Sequence, residues 1–302
     1  MNGLNLSNIS CGYVGGTPVS AIYKGSTQIY PSGLHFPTID PSAYASEYFT
    51  IEFVDDATLI WSMYSQTSYN SYYRHIYYSR DKQTWYDMYD YNNLSMNAGD
   101  KLYFKGDNAA YGYYTDNGNG TITVHYCHYF KVLSRNNSNA RFCVSGNIMS
   151  LINSTSFATG IDFSNSTHNF FNLFGGLLAI EPNYRPNLID AARLYLPDAT
   201  EKYCYASMFT RTSITTAPLL KAHMLNTGCY DTMFANCNNL KYIQILAEEG
   251  YDYEDEEDIG IDACLTDWLY NCGSEGIIKK SRYVTLPTGT SGVPSGWTTE
   301  NI

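Results

Sequence analysis

One sequence motif occurs twice in the second half of the chain. "CYASMFTRTSITTAPLL" occupies Cys204–Leu220 and "CYDTMFANCNNLKYIQIL" occupies Cys229–Leu246. Each copy reads Cys-Tyr-x-x-Met-Phe and continues into a short apolar run. Two copies at a fixed offset of twenty-five residues indicate a structural repeat before they indicate a site. The cysteines are therefore interpreted either as part of a packing unit or as a reactive or metal-binding pair of thiols.

Two further copies flank this pair. Phe174 precedes Phe209 by thirty-five residues, and Leu269 follows Phe234 by thirty-five, so the Met-Phe position recurs four times. The last gap contains the acidic loop 248–262, and insertions into a repeat array normally map to loops. The predicted repeat core consists of Leu173, Phe174, Cys204, Met208, Phe209, Cys229, Met233, Phe234, Cys237, Cys264, Trp268, Leu269 and Cys272.

Each copy is predicted to be a short helical turn followed by a strand. Cys204, Met208 and Phe209 are spaced four and five residues apart, which places them on one side of a helical turn. The apolar runs "TTAPLL" and "KYIQIL" are the predicted strands. A single unit cannot enclose its own core, but stacked units can, so packing is the favoured role of the cysteines.

The first half of the chain is divided into three predicted segments. Residues 47–151 contain short β-rich runs separated by Asp, Asn, Gly and Ser, a pattern typical of an antiparallel sandwich or barrel. Residues 34–46 are rich in Pro and Ser and are predicted to be a linker. Residues 1–33 repeat a strand, Gly turn and strand at an offset of ten. The matched residues of this module are Tyr13, Gly15, Thr17, Val19, Tyr23, Gly25, Thr27 and Ile29.

Composition narrows the range of partners. The 302 residues carry a formal charge of -11, with only 16% charged residues, and no basic stripe suited to nucleic acid occurs. No apolar stretch is long enough to span a bilayer, so no membrane partner is expected. The N-terminus lacks the basic and apolar regions of a secretion signal. We therefore expect the eight cysteines to be free thiols.

Catalytic and metal-binding patterns are scarce. In "HYCHYF", His125 and Cys127 share a face of a predicted surface strand while His128 points away, which gives two metal ligands at best. The acidic run within 248–262 lacks EF-hand spacing and is interpreted as a solvated loop, although cation binding there stays open. "SRDKQTW", at 79–85, resembles a sialidase Asp-box but occurs once. The sequence predicts no enzyme, no cofactor and no metal.

Tyrosine is the unusual component. The chain has 30 tyrosines, interleaved with Ser, Asn and Gly, a composition common on binding surfaces. In "SYYRHIYYS" adjacent tyrosines must point to opposite faces of a strand, so Tyr73, Tyr77 and nearby Trp85 are candidate glycan contacts. The alternative is that such rings fill half-exposed strand positions, or are buried between subunits or against the repeats.

These motifs resemble a known family. "CYxxMFxxCxxLxxxxxL" with the closing "LPTGTSGVPSGW" is similar to the BspA-like leucine-rich repeats of gut bacteria and their phages. "IYYSRDKQTW" and "VSGNIMSLI" resemble the β-sandwich that often precedes these repeats, and "YVGGTPVSAIYKGSTQIYP" resembles short modules of phage virion proteins, including those of crAss-like phages. The resemblance implies a mainly β protein with α/β repeats, an antiparallel β-sandwich followed by a short leucine-rich-repeat solenoid at 152–302.

The resemblance also implies a function. The first hypothesis is a structural virion protein, such as a head fibre, capsid decoration or tail fibre. It would bind other virion proteins through its N-terminus and form a homo-oligomer, with host or mucosal glycans as possible ligands. The second hypothesis is a bacterial surface adhesin with the same repeats. The third is a glycan-processing enzyme, which would need paired carboxylates in a cleft.

Overall fold

A computed structural model gives the fold of most of the chain. The described residues are 13–14, 17–18, 22–24, 27–30, 41–65, 74–89, 93–117, 122–135, 139–159, 163, 166–176, 181–198, 200–252 and 257–302. These residues form a mainly β structure with several antiparallel sheets. Among them no helix combines the length and apolar character needed to cross a membrane.

The N-terminal strands pair as two separate hairpins. β1 (Tyr13–Val14) pairs with β2 (Thr17–Pro18), and β3 (Ile22–Lys24) pairs with β4 (Thr27–Tyr30), both antiparallel. Among the residues named for this module, Gly15, Val19 and Gly25 lie outside the described residues. The two hairpins follow the ten-residue offset of the sequence.

A six-stranded sheet forms one layer of the central region. Its strands are β5 (Phe49–Phe53), β7 (Ile76–Ser79), β8 (Tyr86–Met88), β10 (Lys101–Gly106), β13 (Phe142–Asn147) and β14 (Leu188–Tyr195). Their order is β14-β13-β5-β10-β7-β8, and all neighbours are antiparallel except β13 and β14.

A four-stranded antiparallel sheet packs on this layer. It has the order β11-β12-β6-β9, and its strands are β6 (Ala57–Ser65), β9 (Asn93–Met96), β11 (Gly112–Asp116) and β12 (Ile122–Ser134). The ring of Phe130 in β12 lies 5.5 Å from Phe49 and 5.0 Å from Phe104, which both belong to the other sheet. This face-to-face packing is the arrangement expected of a β-sandwich.

The first sheet crosses the domain boundary expected between residues 151 and 152. β14 lies beyond that boundary, yet it pairs in parallel with β13. The core is likewise continuous, because buried side chains of both regions form one hydrophobic cluster. The end of the predicted linker also joins this unit: Pro41 is buried, and Asn147 Nδ2 donates to the carbonyl of Ala45 at 2.7 Å.

The repeated motifs form consecutive turn segments joined by backbone hydrogen bonds, and we call these segments, within 168–176, 202–212, 227–237 and 263–272, the turn stack. In each segment, alternate N–H groups donate to the segment that follows, and the N–H groups between them donate three residues back within their own segment. Tyr205 N, for example, donates to the carbonyl of Cys229 at 3.0 Å, whereas Met208 N donates to Tyr205 at 3.1 Å. The bonds at the Met-Phe position join Phe174 to Met208, Phe209 to Met233 and Phe234 to Trp268, at 3.1, 2.9 and 2.9 Å.

The predicted helical turns are not present. No α-helix occurs among the described residues, and the turn segments have a left-handed backbone at every fourth position. In one segment these residues are Tyr203, Ser207 and Arg211, with φ of 56°, 56° and 63°. In the next segment they include Thr232 and Asn236, with φ of 49° and 62°. A helix would direct all N–H groups along its own axis, whereas this alternation directs half of them towards the neighbouring segment.

The repeat core is buried in stacked rows. The ring of Phe209 lies 5.6 Å from Phe174 and 5.6 Å from Phe234, with interplanar angles of 28° and 10°. A second row joins Phe170, Tyr205 and Tyr230 at 5.7 and 5.9 Å. Of the predicted core residues, Cys272 is half-buried and the other twelve are fully buried: Leu173, Phe174, Cys204, Met208, Phe209, Cys229, Met233, Phe234, Cys237, Cys264, Trp268 and Leu269.

Strands that follow the turn segments in the sequence pair in parallel. β16 (Tyr242–Ile245), β19 (Gly276–Lys280) and β20 (Trp297–Asn301) form a three-stranded parallel sheet, in which Ile243 lies opposite Ile278. The "KYIQIL" strand is therefore present, whereas "TTAPLL" contributes only isolated bridges at Thr216 and Leu220. In the acidic loop, β17 (Glu249–Asp252) pairs with β18 (Glu257–Asp258) and with β15 (Met224–Leu225).

Removing one stacked ring tests the turn stack. Phe209→Ala leaves a cavity between two parallel rings, so we expect the free energy of unfolding to fall by about 3–5 kcal/mol. Urea denaturation followed by circular dichroism measures this change. Tyr283→Ala is the control, because this ring is 69% exposed, and its effect should stay within about 0.5 kcal/mol. Equal effects of both substitutions would contradict the stacked core.

Candidate interaction surface

The structure describes two of the three predicted glycan contacts, Tyr77 and Trp85. Tyr77 lies in β7, where Ile76 is buried and the Tyr77 ring is 37% exposed. Tyr78, the next residue, turns inward and packs against the core. The alternation expected for adjacent tyrosines is therefore present in this strand. Tyr73 lies outside the described residues.

Trp85 has two neighbours close to its ring. Its ring lies 4.8 Å from the ring of Tyr48, and the ammonium nitrogen of Lys105 lies 4.4 Å from its centroid. The side chain is half-buried. Its neighbours in the structure are thus one aromatic ring and one cation, and the glycan contact at Trp85 stays a prediction.

Polar groups surround Tyr77 on the outer side of the sheet. Asp87 in β8 is its direct cross-strand neighbour, and His75 Nδ1 lies 3.2 Å from the Asp87 carboxylate. The ring of Tyr89 lies 5.6 Å from His75 and is 52% exposed. A hydrogen bond to Asp87 raises the pKa of the Tyr89 hydroxyl. We call Tyr77, Trp85, Asp87, Tyr89 and Lys105 the outer aromatic face.

The site residues predicted from the sequence did not include Asp87, Tyr89 and Lys105 of this surface. Asp87 and Tyr89 are two positions apart in the sequence, so period-two alternation places them on one face of the hairpin. The pairing of β7 with β10 then brings Lys105 opposite Tyr77. The sequence indicated which side chains alternate along one strand, but it did not indicate that β7 pairs with β10.

The "SRDKQTW" segment is a turn held by one carboxylate. Asp81 Oδ1 accepts hydrogen bonds from the N–H groups of Gln83 and Thr84, both at 2.8 Å. Together with the Ser79 hydroxyl, these donors lower the pKa of Asp81 to about 2. The segment thus connects β7 to β8 and carries Lys82, with φ of 63°, at its tip.

The expectation of a surface strand at "HYCHYF" is wrong for Cys127 and His128. The His128 ring stacks on Trp61 at 5.4 Å, and burial lowers its pKa to about 3. Cys127 points to the opposite face, where it packs in a small cluster with Phe171 and Ala206 of the turn stack. Both faces of β12 are covered at these residues. The six-stranded sheet packs on one face, and the turn stack packs on the opposite face.

No cluster of metal-binding groups occurs among the described residues. Groups of three or more His, Cys, Asp or Glu side chains in metal-binding arrangement are absent from these ranges. The described part of the acidic loop forms the β17–β18 hairpin, and its tip, 253–256, lies outside the described residues.

A pocket of about 490 Å³ lies beside the end of β12. Lys131, Glu181 and Tyr184 are among its lining residues. The Lys131 ammonium lies 2.7 Å from the Glu181 carboxylate, and the Tyr184 hydroxyl accepts the Val132 N–H at 3.0 Å. The charges of Lys131 and Glu181 therefore compensate each other at this pocket.

The cysteines divide into two groups. Cys127, Cys204, Cys229, Cys237, Cys264 and Cys272 are free. Cys143, in contrast, is disulfide-bonded, so the expectation of eight free thiols is wrong. In the stack, the Cys237 thiol donates to the carbonyl of Phe209 at 3.0 Å, and burial raises the pKa of this thiol to about 11.

Comparisons with protein-family models, with curated proteins and with solved structures found no match to this chain.

Alkylation tests the assignment of the thiols. In the folded protein at pH 8, iodoacetamide should leave Cys204, Cys229 and Cys237 unmodified, because burial raises their pKa and excludes the reagent. After denaturation without reductant, these three thiols should react fully, whereas Cys143 should react only after reduction. Peptide mass spectrometry provides the readout. A bridge between Cys204 and Cys229 would contradict the stacking role.

Proposed function

We propose that this protein is a structural component of a bacteriophage virion that displays a glycan-contacting surface. The observation that carries the proposal is the fusion of the sandwich and the turn stack into one continuous core. Such a unit is suited to a rigid display element, because both parts hold the outer sheet face in a fixed geometry. The virion assignment itself rests on the sequence resemblance.

We assign the turn stack to a short leucine-rich-repeat solenoid. Its support is that two features repeat at the same offset: the Met-Phe turn segments, and the parallel strands in which Ile243 lies opposite Ile278. Stacked units of this kind bury a common core and leave their edges available for contact. The repeats then act as the support of the sandwich.

Gene neighbours distinguish a virion protein from a bacterial surface adhesin. A virion protein would be encoded beside capsid and portal genes, whereas an adhesin with the same repeats would be encoded near genes for wall or membrane attachment.

The second alternative, a glycan-processing enzyme, requires two carboxylates across a cleft. On the outer aromatic face, the Asp87 carboxylate next to Tyr77 is engaged by His75, which favours binding over catalysis.

Glycan contact is proposed at Tyr77 and Tyr89. Exposed aromatic rings stack on the apolar faces of sugars, and carboxylates accept hydrogen bonds from sugar hydroxyls. Here Asp87 lies beside Tyr77 and near Tyr89, so both kinds of contact occur on one hairpin. Such contacts are weak singly, and many copies on a particle would strengthen them.

Removing the N-terminal hairpins tests the proposed attachment. Their strands have two to four residues and are too small to enclose a core, so they are expected to pack on a partner. A chain beginning at Leu34 should give a native circular dichroism spectrum but be missing from particles when it replaces the full chain during phage assembly. Immunoblots of purified particles measure incorporation. Normal incorporation would place the attachment surface elsewhere.

Removing Tyr77 tests the proposed glycan contact. On a glycan array, a multimeric form of the wild-type protein should bind a subset of bacterial or mucosal glycans. Tyr77→Ala should weaken this binding by about fivefold or more, since an aromatic ring of this kind contributes on the order of 1 kcal/mol. Tyr283→Ala, an exposed ring near the C-terminus, is the control and should bind normally. Absence of binding by the wild-type protein would leave a purely structural role.

A further inference from the structure

The outer aromatic face carries positive charge from Lys105 and from nearby Lys82. Lys105 in β10 lies directly opposite Tyr77 in β7. Lys82, at the tip of the β7–β8 turn, places its ammonium nitrogen 4.5 Å from the ring centroid of Tyr103. Because Tyr103 and Lys105 are two residues apart in one strand, they point to the same face. Both ammonium groups therefore lie on the side of the sheet that exposes Tyr77.

These two charges differ from their basic neighbours. Lys101 lies 3.1 Å from Glu52, and Arg80 lies 3.5 Å from Asp100. For Lys82 and Lys105, no carboxylate lies within ion-pair distance among the described residues, and each ammonium rests on an aromatic ring instead. A cation over the face of an aromatic ring is attracted by the ring quadrupole. It keeps N–H groups that can bind an anion.

A net charge of -11 makes this local pair of cations distinctive. The overall charge and Asp87 on the same face oppose the binding of an anion that offers charge alone. A carboxylated sugar offers a ring face and hydroxyls in addition to its charge. Its carboxylate could reach the lysines while its hydroxyls face Asp87 and its ring stacks on Tyr77.

We propose that the outer aromatic face binds acidic glycans whose sugars carry carboxylates, with Lys82 and Lys105 contacting the carboxylate. This inference rests on the proposed glycan contact and specifies its ligand class. An uncharged sugar would use Tyr77 equally well but would leave both ammonium groups without a role. Binding to carboxylated sugars should also weaken as salt rises to about 0.5 M, because exposed ion pairs are screened.

The test compares polygalacturonate with its methyl ester, which removes the charge and keeps the sugar. The full chain, presented in multimeric form, should bind polygalacturonate about three- to tenfold more tightly, as expected for one or two exposed ion pairs. The double variant Lys82→Gln/Lys105→Gln should lose this preference and retain binding to the ester. Lys221→Gln is the matched control, because the Lys221 ammonium lies 4.8 Å from the ring of Tyr195 in β14, at the sheet edge opposite to β8.

The outcomes separate this inference from the glycan proposal. Equal binding of both polymers, or a preference that persists in the double variant, would overturn the acidic-glycan inference alone. A Tyr77→Ala variant that loses binding to both polymers supports the shared ring contact. Absence of binding to either polymer by the wild-type chain, together with a blank glycan array, would overturn both proposals. Thermal melts of each variant establish that the fold is intact.

Discussion

Backbone hydrogen bonds between successive turn segments are the constraint on which the rest of the structure depends. Alternate N–H groups, such as those of Tyr205 and Phe209, donate to the next segment, and the groups between them close turns within their own segment. Buried backbone groups need such partners. This pattern fixes the distance between segments, and the rings of Phe174, Phe209 and Phe234 stack at the resulting spacing.

The first turn segment is fixed by the sandwich. Tyr111 N donates to the carbonyl of Asn169 at 2.9 Å, and Phe130 N donates to Leu173 at 3.0 Å. The acceptors at this end of the stack are thus satisfied by the four-stranded sheet and its flank. β14 adds a second connection by joining the six-stranded sheet. Sandwich and stack consequently share one core, which explains why Cys127 and His128 are both buried.

The outer aromatic face lies on the opposite side of this assembly. It belongs to the hairpin at the edge of the six-stranded sheet, where β8 is the last strand. The core holds Ile76 and Met88 on the inner side, and this anchoring presents Tyr77 outward. The Asp81 turn fixes the hairpin connection and positions Lys82. This edge brings aromatic, cationic and carboxylate groups together, and it is the surface for which we propose glycan binding.

The sequence by itself determined the periodicity of the protein. Offsets of thirty-five and twenty-five residues identified the segments that stack, because identical environments select similar residues such as Met208 and Met233. Alternation likewise predicted that Tyr77 and Tyr78 point to opposite faces. Only the tertiary structure decided the conformation of the segments. The spacing of Cys204 and Phe209 fits a helical turn, but hydrogen bonds from neighbouring segments favour left-handed residues such as Ser207. Strand pairing also decided the surroundings of Trp85 and Lys105, since contacts between residues distant in sequence leave no local signal.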